Sequence, residues 1–185
     1  MLCLWGSADW ATDLFMKPDR ETLTQQMTDY VINVLEEERP EFSGFAVCPF
    51  IKRDRVADEL FFDIINRDEG GFLNAINNFK NSQKRSALFA LTGEQISGTE
   101  TKGFQKFLNI VLEETNNKDI AVLCFNPEDK LEIEGYNPRS KAPCFLINAA
   151  YRTDLSKAHR SLVKTNYYDK LPPTYKKYLN IKWKS

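Results

Sequence analysis

Between residues 59 and 150 the chain alternates between two hydrophobic periods, and this restricts its fold more than any other feature. ELFFDII (59–65), SALFALT (86–92), DIAVLCF (119–125) and PCFLINAA (143–150) are short apolar runs rich in aromatic and branched residues, the pattern of strands. GGFLNAINNFKNSQK and TKGFQKFLNIVLEET lie between the first three. There Phe72, Ala75, Ile76 and Phe79, and Phe104, Phe107, Leu108, Val111 and Leu112, recur every three or four residues and mark one helical face each. Strands alternating with helices imply crossover units. The expected fold class is therefore α/β: a single domain with a largely parallel sheet of four strands, or slightly more, and helices on its faces. The link from Cys124 to Cys144 carries no helical pattern, so the fourth strand is free to run antiparallel at an edge.

Upstream, Leu23, Met27, Tyr30, Val31, Val34 and Leu35 form an apolar stripe that predicts a helix capped by Asp19 and stopped by Pro40. FSGFAV reads as a short strand or extended segment. A brief helix follows, with Cys48 at the cap and Pro49 at the first helical position. Downstream, Leu155, Ala158, Leu162 and Val163 predict a last helix with Asp154 at its cap. These signals divide the chain into an arm (1–18), an α/β domain (19–165) and a basic aromatic tail (166–185).

At 185 residues the chain is long enough for one well-cored domain. Its 25 basic and 26 acidic residues nearly cancel, so net charge argues against bulk nucleic-acid binding. Locally, residues 164–185 hold six lysines, one aspartate and five aromatics, a mixture that suits single strands by phosphate attraction and base stacking. The balanced total favours a tail that packs on the body instead. The arm, with Trp5, Trp10, Leu14 and Phe15, reads either as tucked against the domain or as docking, through residues 1–17, on a partner or a second copy. No basic region precedes an apolar leader, and no run approaches the roughly 20 apolar residues of a membrane span. The expectation is a cytoplasmic protein with no membrane contact.

Four cysteines without a CxxC pair, and His159 as the one histidine, speak against a disulfide framework and a clustered zinc site. No metal is expected, and the sequence specifies no cofactor. Cys124 and Cys144 sit in apolar runs and read as core. His159 lacks a local acidic or thiol partner.

GFAVCPFIKRDR (44–55) puts a thiol before a helix start and beside Lys52, Arg53 and Arg55. A positive helix end and nearby cations lower a thiol pKa, and the thiolate is the nucleophile. The same Cys48, among Ala46, Val47, Phe50 and Ile51, also reads as a small buried hydrophobe. EGYNPRSKAPCFLIN (134–148) is a second unusual stretch. Pro138 and Pro143 stiffen a loop that carries Arg139, able to fork a carboxylate or phosphate, and Ser140; a plain connection explains the loop equally well. The glycine-bearing turns at 66–71 and 92–100 precede helices, where anions are attracted, but match no phosphate-loop pattern.

Two of these stretches together resemble an uncharacterised bacterial domain-of-unknown-function family with an early CPF motif and a late NRSPxP-like motif. The correspondence covers roughly residues 20–165 and carries over Cys48, Pro49, Phe50, Pro127, Arg139, Ser140 and Pro143. Asn126 stands where that family has histidine, which leaves an amide in place of an acid or base. The resemblance implies a site address and no reaction. A weaker echo of thioredoxin-like proteins lies in CP at a helix start and the proline of KAPCFLIN, without a resolving cysteine at Ile51.

Two readings follow. In one, Cys48 is catalytic or ligand-contacting, and Lys52, Arg53, Asn126, Arg139 and Ser140 bind a small anionic ligand. In the other, the arm and the Lys/Tyr-rich tail make a non-catalytic interaction module.

Overall fold

A computed structural model describes residues 19–66, 69–93 and 96–171. Helix α1 spans Arg20–Tyr30, and the Asp19 carboxylate accepts from Thr22 N (2.8 Å) to cap it. The apolar stripe then continues as a π-helix, Val31–Leu35, closed by Glu36 N donating to Val31 O at 2.9 Å. A two-residue hairpin pairs β1 (Glu38–Arg39) with β2 (Phe45–Ala46), antiparallel. Its turn requires positive φ at Ser43 (59°) and Gly44 (83°). Helix α2 is Ile51–Val56. The chain then alternates through β3 (Leu60–Asn66), α3 (Glu69–Ser82), β4 (Ser86–Thr92), α4 (Thr101–Glu114), β5 (Ile120–Phe125), β6 (Leu146–Tyr151) and α5 (Arg152–Leu162).

The α/β class holds, but the largely parallel sheet needs correction. The order is β3-β4-β6-β5, with β3 and β4 parallel and β6 antiparallel to both β4 and β5. The last strand therefore runs against its neighbours, and it lies in the middle of the sheet. The reason is the link of residues 126–145. Without a crossover helix it stays at the end of the sheet where β5 finishes, so β6 starts at that same end, Leu146 facing both Phe125 and Ala90, and runs back antiparallel.

Strand β4 shows why its sequence is apolar throughout. Ala87, Phe89 and Leu91 enter a core with Phe72, Ile76 and Phe79 of α3 and Leu108 and Leu112 of α4. Leu88 and Ala90 enter the opposite one, with Leu23, Met27 and Tyr30 of α1, Leu35 and Ile51. Both faces are covered, so alternation disappears. Each large side chain sealed there, Phe89 among them, contributes about 1.5–3 kcal/mol relative to exposure. A third cluster joins Phe42, Ile133, Leu162, Tyr167 and Leu171, so residues 166–171 of the expected tail pack on the body. The arm (1–18) and residues 172–185 lie outside the described residues. Among the described residues no helix is long and apolar enough to cross a membrane.

Two expected caps are displaced by two or three residues. Helix α2 begins after Phe50, and Cys48 instead opens the turn that leads into it, its carbonyl accepting from Ile51 N at 3.2 Å. Helix α5 begins directly after Tyr151, so Asp154 sits in the first turn, where it favours the helix dipole and lies 3.5 Å from Arg85.

Candidate functional site

The candidate site gathers around Tyr30, the last α residue before the π turn. A tyrosine in an apolar stripe must still satisfy its hydroxyl, and Tyr30, 4% exposed, donates it to Pro138 O at 3.1 Å. That bond fastens the proline-stiffened loop to α1. Burial raises the Tyr30 pKa, the positive Arg139 opposes the rise, and Tyr136 and Cys48 add to it. Tyr30 is thus bonded one residue from Arg139 and belongs to the apolar cluster against which Cys48 packs. Cys48 is also tied to the π turn, its N–H donating to Leu35 O at 2.8 Å.

The sulfur does not have the character expected of a thiolate. Cys48 keeps some exposed surface as a residue, yet its thiol pKa is raised, with desolvation of the sulfur as the main cause. The backbone N–H groups of Ile51 and Phe50 oppose that rise; the carboxylates Asp54 and Glu36 reinforce it. The basic cluster is engaged elsewhere. Arg53 Nε and Nη2 donate to Asp54 Oδ1 at 3.0 and 2.8 Å, and Arg55 Nη2 donates to Glu36 Oε2 at 2.8 Å. Asp54, itself buried, accepts also from Ser86 Oγ at 3.0 Å, pinning α2 to the start of β4. Lys52 is exposed to solvent.

Arg139 is largely enclosed, with 12% of its side chain exposed, and is ion-paired with Asp129. Asn137 organises this turn. Its Oδ1 accepts from Arg139 N (3.0 Å) and Ser140 N (3.2 Å), while Nδ2 donates to Asp129 O. The Ser140 hydroxyl is exposed and donates to Asn137 O at 2.9 Å. Tyr136, from the same loop, lies under the Arg39 guanidinium at 4.0 Å.

Asn126 touches this cluster through its backbone, its carbonyl accepting from Asp129 N at 2.9 Å, while its side chain bonds elsewhere. It is 2% exposed, donates from Nδ2 to Ile96 O (2.7 Å) and Thr101 Oγ1 (2.9 Å), and accepts at Oδ1 from Glu128 N (2.9 Å). These bonds join the turn after β5 to the start of α4.

Two aromatic residues complete the locus, and both escaped the sequence reading. Tyr167 donates to Val47 O at 2.6 Å, beside Cys48. Tyr168, with its pKa pushed up to about 12 mainly by burial, lies 3.1 Å from His159 Nδ1. Desolvation lowers the His159 pKa. The missing partner of the histidine is therefore a tyrosine. The signal available was the tyrosine pair in KTNYYDK, which composition alone assigns to a packed tail.

Of the other thiols, Cys124 is sealed in the core at 1% exposure. Cys144 is only partly buried, with its pKa raised to about 11 by burial. Among the described residues no group of three or more histidine, cysteine or acidic side chains is placed to hold a metal ion. No family model matches the chain, and no curated protein or solved structure gives a significant match.

Proposed function

We propose that the chain binds a small anionic ligand where Tyr30, Cys48 and Arg139 converge, with Cys48 in contact as a neutral thiol. One observation carries this: the buried Tyr30 donates to the carbonyl of Pro138, next to Arg139 in the chain, and belongs to the apolar cluster against which Cys48 packs. The π turn beside it is a further pointer, because such irregular turns recur at functional sites. In this reading an incoming carboxylate or phosphate takes the place of Asp129 on the Arg139 fork. The Tyr168 hydroxyl completes the contacts. A thiolate reaction would have to ionise Cys48 against burial and two carboxylates, so the thiol serves binding.

Calorimetry with inorganic phosphate and with succinate, combined with iodoacetamide labelling of Cys48, tests it. Slow labelling below pH 9, further slowed by one of the two anions, is expected, and Arg139→Gln should abolish both heat and protection while leaving the circular dichroism spectrum intact. Absence of heat and protection with both anions overturns the proposal, as does a folded Arg139→Gln variant that binds like the parent.

A further inference from the structure

Strand β5 is the six-residue run IAVLCF at the end of the sheet order, paired with β6 on one side. It has no charge, proline or glycine. A segment of that composition on an open edge is a template for pairing with another chain. Alternate residues, Ile120, Val122 and Cys124, turn their backbone groups away from β6, where side chains and one backbone carbonyl meet them. Asn109 of α4 matches Val122 from both sides: Oδ1 accepts from Val122 N and Nδ2 donates to Val122 O, each at 3.2 Å. One helical turn earlier, Gln105 Oε1 accepts from Cys124 N at 2.9 Å. At the other end, Arg152 Nε donates to Ile120 O (3.1 Å), and Ile120 N donates to Asn117 O (3.0 Å).

An amide side chain repeats the donor and acceptor of a peptide group, so Asn109 offers Val122 what a neighbouring strand would. It is 8% exposed and also donates to Gln105 O at 2.8 Å, which fixes its orientation. The opposite edge has a smaller version: Asp63 Oδ1 accepts from Ile64 N at 2.9 Å and is held by Arg20 at 2.6 Å.

We propose that Asn109 and Gln105 act as a surrogate fifth strand that bars β5 from pairing with β5 of a second copy. The test uses the full chain, Gln105→Leu, and the Gln105→Leu/Asn109→Leu pair. Each is followed by sedimentation velocity from micromolar to about millimolar concentration and by amide exchange at Val122 and Cys124. In the dilute double variant both amides should exchange about threefold to tenfold faster than in the parent, the loss of one hydrogen bond. At high concentration it should assemble and protect them again. A double variant that stays monomeric with fast exchange refutes the guard, as does one that assembles with these amides still open. Should the double variant not fold, Gln105→Leu decides alone: unchanged Cys124 exchange and no self-association overturn the proposal.

Discussion

Replacing Asn126 by alanine measures what this buried amide does. Its side chain satisfies the Ile96 carbonyl at 2.7 Å, the Thr101 hydroxyl at 2.9 Å and the Glu128 N–H at 2.9 Å, at 2% exposure. Alanine leaves three partners without it. At about 1 kcal/mol each the sum is about 3 kcal/mol, or roughly 6–12 °C in Tm for a chain of this size. Urea denaturation should show a lower midpoint at unchanged slope. Asn126→Asp is the sharper variant, because it turns a carboxylate oxygen toward the Ile96 carbonyl and buries a charge without a counterion. It should therefore be less stable than the alanine variant at pH 7, with the gap narrowing as the acid protonates. An alanine variant within about 0.5 kcal/mol of the parent, the range of an ordinary surface change, refutes the reasoning and frees Asn126 for a ligand role.

Two further outcomes follow from named contacts. Burial lowers the His159 pKa from its ordinary value of 6.5, so between the folded and unfolded values the unfolded chain binds more protons. Stability should fall as pH drops below about 6.5 and level off under the folded value. His159→Gln should flatten that part of the pH–stability curve, and an unchanged slope in the variant would contradict the assignment. Gly98 approaches the turn after β5 so closely that a Cβ there would stand 2.6 Å from Glu128 O. Gly98→Ala should therefore cost about 1–3 kcal/mol, measured by the same urea titration; a neutral result would show that the two turns part freely.

The alternation of SALFALT and DIAVLCF with TKGFQKFLNIVLEET was enough for the α/β class, because strand and helix periods are local properties of the chain. The direction and place of β6 were not, since they depend on which end of the sheet the link of residues 126–145 occupies. The absence of a crossover helix in that link was visible; its short 3-10 turn, Arg139–Lys141, and its docking by Tyr30 and Arg39 against α1 and the hairpin were not. The site divides in the same way. Sequence set a thiol at the cap of a short helix, which in fact begins two residues later, after Phe50, and an arginine in a proline-flanked loop, where it lies in a 3-10 turn. It also put cations next to the thiol in the chain, and folding assigned them to other partners: Arg53 to Asp54 and Arg55 to Glu36. Sequence proximity fixes which charges are available. The pKa of Cys48 depends on distances and desolvation, and only the packed chain defines those. The same holds for Asn109, an unremarked polar residue inside an apolar helical face until a strand edge lies against it.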